Sequence, residues 1–235
     1  MYQDKEVIAI IPARGGSKGI PKKNMIKLGG YPLIYWTIVR AQRSNHIDRI
    51  IVSSDDDEIL SYSESIGAEA LRRPLNLATD TASSVDVVLH VLEYLGLKES
   101  HELILLLQPT SPLRTTETID KSIKFCLENA YKYVMSVSPL QKSPYHFYLE
   151  GENNILIPLY SPEGITSVRR QDLPTAYTSN GAIYLVDAHY FTQIRTFKPE
   201  NIHAFKMSDE ESIDIDTLSD LNAAEKLIRL KNIQA

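Results

Sequence analysis

A chain of 235 residues accommodates one large or two small domains, and 43% hydrophobic against 23% charged residues is too apolar for a disordered one. With 25 Lys and Arg against 30 Asp and Glu the net charge is -5, so no overall positive field exists to attract a nucleic-acid backbone. The single cysteine, Cys126, excludes a disulfide framework and a Cys-rich zinc site and points to a reducing, cytoplasmic setting, while the apolar runs are too short for a signal peptide or a membrane span.

Short apolar runs alternate with segments of helical period, which predicts an α/β fold with a largely parallel sheet. The first strand is Val7 to Ile11, ending at Pro12. A helix follows over Leu33 to Ser44, then a strand over Arg49 to Ser53. Asp56 to Ile66 begins with acidic residues, where the helix dipole favours them, and Gly67 ends it. A short strand covers Ala68 to Arg72. In the next helix, Ser83 to Leu95, one stripe holds Val87, Val88, Val91, Leu92 and Leu95, and Gly96 stops it. Leu103 to Leu107 is nearly all apolar, as a central strand covered on both faces requires. A helix over Glu117 to Leu127 and a strand over Tyr133 to Ser138 complete this run.

Between Pro139 and Pro174 the texture changes, with five prolines and a turn signal at Gly151-Glu152-Asn153-Asn154 between two extended runs. The expected division is therefore an α/β domain from residues 1–138 and 175–235, interrupted by a hairpin excursion at 139–174. The chain rejoins the pattern with a strand over Ala182 to Val186, a helix near His189 and a final helix over Leu218 to Leu230.

Chemistry concentrates at two places. Residues 12–24 read PARGGSKGIPKKN, so three glycines, one hydroxyl and four cations follow directly on a strand end, where open α/β sheets bind ligands. Glycines let backbone NH groups turn toward an anion, and Arg and Lys neutralise it. Such a loop suits a polyphosphate, although it matches neither the Walker A nor the GxGxxG pattern. A flexible basic surface loop is the alternative reading. Near the other end, Ser212 to Thr217 alternates Ile213 and Ile215 with Asp214 and Asp216. In an extended strand both carboxylates share one face, and such a pair suits Mg²⁺ or Mn²⁺. Alternatively these acids serve the start of the last helix, with Thr217 and Asp220 as a capping box.

The segment Ile8 to Asn24, IAIIPARGGSKGIPKKN, resembles the N-terminal signature of the CMP-N-acetylneuraminate synthetases, or acylneuraminate cytidylyltransferases, a family that includes bacterial legionaminate cytidylyltransferases. Further blocks follow in family order: Ile51 to Asp55, Arg73-Pro74 with Asp80 to Ser84, Gln108 to Arg114, Asn180 to Tyr184, and Ser212 to Thr217. The resemblance implies a three-layer, Rossmann-like nucleotidyltransferase fold and transfer of CMP from CTP to the anomeric hydroxyl of a nine-carbon 2-keto sugar acid, of N-acetylneuraminate or legionaminate type. It implies that Ala13, Arg14, Gly16, Ser17, Lys18, Lys23, Asn24, Arg73 and Ser84 hold CTP, with Arg14, Lys23, Asp214 and Asp216 catalytic. Asp214 and Asp216 hold Mg²⁺ or Mn²⁺ on this reading, and Gln108, Arg170 and Tyr184 contact the sugar acid. The excursion is implied to reach across a two-fold interface, making the protein a homodimer, with no nucleic-acid or membrane partner.

Other residues read differently. Arg114, in the approach to the Glu117 helix, suits a structural role, and Cys126 an inert core thiol. The six histidines show no metal-site or triad spacing. At His146 the chain departs from the Lys common in bacterial sialic acid enzymes, which leaves the N-acyl pocket open. The same chemistry on pseudaminate or another sugar acid, and a noncatalytic nucleotide-binding protein, are the rival readings.

Overall fold

In the computed structural model the described residues are 5–17, 19–79, 81–140, 142–160 and 173–233. The apolar runs become the strands of one seven-stranded sheet. β1 (Val7–Pro12) lies between β4 (Arg49–Ser54) and β6 (Leu103–Leu106), and β4 continues to β5 (Glu69–Arg72). Beyond β6 come β10 (Tyr177–Asp187), β7 (Tyr133–Pro139) and the edge strand β11 (His203–Lys206). All neighbours are parallel except β10, which runs antiparallel to both β6 and β7.

Burial explains the alternation. Every side chain of β6 is at most 2% exposed, because helices cover both faces of the sheet. Successive residues of β1 point to opposite faces. Val7, Ala9 and Ile11 meet α1 (Leu33–Gln42), α2 (Asp57–Ser65) and α4 (Thr116–Glu128), whereas Ile8 and Ile10 meet α3 (Ser84–Leu95) and α5 (Ala188–Ile194). A third apolar cluster joins Ile20 and Leu28, from the segment after β1, to Trp36 of α1, Ile215, and Ala224 and Ile228 of α6 (Leu218–Lys231). The ends of the chain are thereby packed together.

Helix boundaries follow capping chemistry. Asp56 accepts from the backbone NH groups of Glu58 and Ile59, Ser83 from that of Asp86, and Thr115 from that of Thr118. Gly96 ends α3 in the left-handed conformation at φ 69°. The Thr217 and Asp220 capping box is formed at α6. The excursion folds as its turn signal predicts, with β8 (Tyr148–Glu150) paired to β9 (Leu156–Pro158) and left-handed Asn153 and Asn154 between them. Residues 161–172 of the excursion lie outside the described residues.

Four features differ from expectation. β10 begins at Tyr177, five residues before Ala182, because its polar first half pairs with β7 across a register shift between Ser179 and Tyr184. β11 carries only a four-residue run, HAFK, and becomes a strand because the edge of β7 offers it a ladder. A short ribbon of β2 (Lys27–Leu28) and β3 (Tyr31–Pro32) also joins the loop after β1 to α1. Finally, Ser212 to Thr217 forms no strand; its backbone tie to the domain is the Ile215 NH donating to the Thr110 carbonyl at 2.8 Å. The alternation survives without a ladder, since Ile215 is fully buried while Asp214 and Asp216 are open to solvent.

Candidate active site

The chain runs from β1 to β4 and β5 on one side, then returns to β6 on the other. The carboxyl ends of β1 and β6 therefore flank the point where strand order reverses, and a crevice opens there. A cleft of about 320 Å³ occupies it. Its wall includes Arg14, Gly16, Ser17, Lys23 and Asn24 from the loop after β1, Arg73 from the end of β5, Ser84 from the start of α3, Gln108 and Thr110 beyond β6, and Asp214 and Asp216. Loop and acid pair, nearly the whole chain apart in sequence, thus face one volume.

The loop is braced from below. The Asn24 amide donates to the Arg14 carbonyl at 2.9 Å, and the Gly15 NH donates to Asp55 at 3.0 Å. Gly19 packs against the acid segment so closely that a Cβ there would stand 2.6 Å from the Asp216 carbonyl oxygen. Arg14 reaches the Thr79 carbonyl at 3.3 Å. Lys22, although one of the four loop cations, turns outward at φ 50° and pairs with Glu58 at 2.7 Å. Lys23 turns the other way: its ammonium donates to the Ile215 carbonyl and to the Asp216 carboxylate, both at 2.9 Å. Lys18 lies outside the described residues.

Arg73 is buried, and its guanidinium donates to the Ser53 and Leu77 carbonyls. Burial lowers its pKa to about 10, with Asp55 opposing and Arg14 reinforcing the shift, so it stays cationic at neutral pH. Ser84 opens α3 beside its Ser83 cap, and Ala82, Ser84 and Val87 at this helix start line the cleft.

Although Asp214 as a residue is exposed, protein around its carboxyl reduces hydration there, and this, followed by the charges of Asp216 and Asp220, pushes its pKa above the usual carboxylate range; a hydrogen bond from Thr110 and the charge of Lys23 oppose the shift. The capping of α6 is supplied by Thr217 and Asp220, whose side chains exchange hydrogen bonds with each other's backbone NH groups. Helix capping therefore leaves Asp214 and Asp216 to the cleft.

Two expected residues stand off the wall. Ala13 is fully buried, and its NH belongs to the ladder, donating to Ser53 at 2.9 Å. Tyr184 packs its ring against Phe197, 5.1 Å between centroids, although the charge of Asp214 still contributes, after burial, to raising its pKa. Arg170 lies outside the described residues. Arg114 is fully buried and donates to the Ala182 carbonyl and to Thr37, a bracing role. Burial also raises the Cys126 thiol to about 12, which keeps it protonated and inert.

Sequence reasoning passed over Thr110, Asn180 and Gly181. Gly181 is left-handed at φ 72°, and a Cβ there would lie 2.9 Å from Gln108 Oε1 and 3.7 Å from Asp214 Oδ2. The backbone bulge of β10 thus sits directly against both side chains. The motifs containing these residues were visible; their contacts depend on β10 lying beside β6.

Comparison with known proteins points the same way. A family model described as cytidylyltransferase matches residues 8–234. The chain is 34% identical over 215 residues to the N-acylneuraminate cytidylyltransferase of Streptococcus agalactiae, covering 91% of this chain and 51% of that protein. It therefore spans about half the length of that relative. To the CMP-N,N'-diacetyllegionaminic acid synthase of Legionella pneumophila it is 34% identical over 228 residues, covering 95% of this chain and 97% of that one. In three dimensions it resembles a CMP:2-keto-3-deoxy-manno-octonic acid synthetase complexed with CTP, with a TM-score of 0.72, 17% identity and coverage of 97% and 100%.

Proposed function

Since this chain belongs to the cytidylyltransferase family, we propose that it transfers CMP from CTP to the anomeric hydroxyl of a nine-carbon 2-keto sugar acid of N-acetylneuraminate or legionaminate type. The observation that carries this reading is the meeting of loop cations and acid pair in one cleft at the switch point of the sheet. The sugar hydroxyl oxygen attacks the α-phosphorus, the bond from that phosphorus to the bridging oxygen breaks, pyrophosphate leaves with the bonding electron pair, and the hydroxyl proton passes to solvent water. Such a transfer depends on positioning and charge stabilisation, with little covalent work for the protein.

The residues divide this work by charge. Arg14 and Lys23, with Lys18, hold the triphosphate beside the NH groups of Gly16 and Ser17, and Asn24 keeps the loop in shape through its bond to Arg14. Arg73 and Ser84 take the nucleoside end, where α3 begins. Gln108 and Tyr184, with Arg170, take the sugar acid. The donor set of Asp214 and Asp216 is all carboxylate oxygen, and its two charges are met by the single ammonium of Lys23, which bonds Asp216; such a set would hold a hard divalent cation such as Mg²⁺ or Mn²⁺. When bound, that cation supplies charge neutralisation on the departing pyrophosphate. Lys23, whose ammonium bonds Asp216, stands where it would also meet phosphate oxygens.

The hairpin supports a homodimer. Tyr148, Leu149, Leu156 and Ile157 are 50–64% exposed, an apolar surface that a second copy would cover. The setting we assign is the cytoplasm, consistent with a lone buried cysteine; among the described residues no helix is long and apolar enough to cross a membrane.

The direct test is pyrophosphate release from CTP with purified N-acetylneuraminate, legionaminate and pseudaminate. Release with one of the first two is expected, and release with none of the sugar acids removes the proposal. Arg14→Ala should weaken CTP binding about tenfold to a hundredfold, the scale of a lost charge-assisted contact, with an unchanged melting temperature. Calorimetric titration with CTP checks this, and unaltered affinity takes Arg14 out of the site. Gly19→Ala forces the loop away from the Asp216 carbonyl and is expected to lower kcat/KM for CTP by at least about tenfold, measured by steady-state kinetics.

A further inference from the structure

Asp214 occupies a segment that no sheet ladder holds, so something else must set its position. The side chains on either side of it show what does. Asn180, 7% exposed on β10, accepts at Oδ1 from Ser136 Oγ of β7 at 2.5 Å and from the Ala182 NH at 3.2 Å. Its Nδ2 donates to Ser212 Oγ at 2.8 Å and reaches Met207 Sδ at 3.5 Å, so every polar site of the buried amide is engaged. Ser136 Oγ in turn accepts from the Ile183 NH at 2.8 Å, and Ser212 Oγ donates to the Ser208 carbonyl at 2.6 Å. The network is continuous from the interior of the sheet to a residue two positions before Asp214.

Its partners make this more than filling. Asn180 immediately precedes left-handed Gly181, where a Cβ would stand 2.9 Å from Gln108 Oε1 and 3.7 Å from Asp214 Oδ2. One residue before Ser212, the Glu211 carboxylate accepts from Thr115 Oγ1 at 2.7 Å and Thr118 Oγ1 at 2.6 Å, fastening the same turn to the start of α4. Asn180 itself is not part of the cleft wall. A side chain that touches no reactant but fixes both the bulge and the acid segment acts on the site through geometry.

We infer that Asn180 is a positioning residue that, through Ser212, holds Asp214 where a divalent cation is bound. The inference rests on the reading of Asp214 and Asp216 as cation ligands. Partners that orient metal ligands typically contribute about tenfold to a hundredfold in metal affinity or activity, and groups acting through one hydrogen bond are non-additive.

The test uses Ser212→Ala, Asn180→Ala, the double variant and Ser212→Thr, which keeps the hydroxyl. Mn²⁺ binding in the presence of CTP is read by electron paramagnetic resonance, and kcat and KM for CTP are measured at saturating Mg²⁺. Ser212→Ala and Asn180→Ala should each weaken Mn²⁺ binding and lower kcat by about tenfold or more, with KM for CTP within about twofold. The double variant should be no worse than the weaker single one, and Ser212→Thr should restore Mn²⁺ affinity. Wild-type Mn²⁺ affinity in folded Ser212→Ala overturns the positioning role even if Asn180→Ala fails to fold, as does an additive double variant. Wild-type Mn²⁺ affinity in Asp214→Asn overturns instead the cation-site reading on which the inference rests, and the inference with it.

Discussion

Asp214→Asn is expected to lower turnover by about a hundredfold to a thousandfold, the scale on which loss of transition-state charge stabilisation acts, without any loss of stability. The substitution preserves shape and an oxygen able to accept from Thr110, but removes the charge that would hold the cation. Stability should move the other way. An acid whose folded pKa is raised is disfavoured as its anion in the folded state, chiefly through crowding at Asp214 and next through the charge of Asp216. That penalty is absent below the unfolded pKa and grows to its full size as pH rises through the folded pKa. Asn carries no such penalty, so thermal unfolding at neutral pH in EDTA should occur at or above the wild-type temperature. Activity lost while stability is kept or gained would mark a functional strain. Turnover near wild-type at limiting Mg²⁺, in this variant or in Asp216→Asn, would remove the carboxylates from the chemistry.

Arg114→Ala is expected to destabilise the fold by about 3 kcal/mol, lowering the melting temperature by roughly 6–12 °C for a chain of this size. Arg114 is 1% exposed, and its guanidinium donates to the Ala182 carbonyl at 2.6 Å and to Thr37 Oγ1 at 3.1 Å, with a longer approach of 3.5 Å to the Gln108 carbonyl. Burial lowers its pKa to about 9, so at neutral pH a charge is kept inside the protein. Truncation leaves two buried acceptors without their donor and opens a cavity; part of that loss is offset because the cost of burying the cation disappears too. Since Gln108 lines the cleft, kcat should fall with stability. Urea unfolding checks the first effect, and a midpoint equal to wild-type would show that the two acceptors find other partners.

Arg114 also shows how far sequence reasoning reaches. Its structural role was legible, because it stands between a Pro-bounded turn and a capped helix, but its partners were not. The helix α2 was legible through its acidic start and Gly67, and α3 through its apolar stripe and Gly96, since these signals depend on residues within a turn of one another, whereas the Thr115 cap of α4 emerged only in the structure. β1 and β6 were legible because strands covered on both faces are apolar throughout. β11 was not, since HAFK has no marked alternation and is a strand only beside β7. The first half of β10 was missed for a related reason: Thr178, Ser179 and Asn180 are polar, and what they satisfy lies on β7 and in the acid segment. The alternation at Ser212 to Thr217 predicted the burial of Ile215 but neither the half-exposure of Ile213 nor the absence of a ladder.

By itself the sequence determined the layered α/β architecture, the glycine and cation loop at a strand end and the existence of a carboxylate pair. Those features rest on residue types and short-range periodicity. Only the tertiary structure decided that Lys23 meets Asp216 across 193 positions while Lys22 turns away to Glu58, and that the Asn180 amide donates to Ser212. Those contacts depend on which strands are neighbours and where strand order reverses, and that is set by packing of the whole core, which no local spacing encodes.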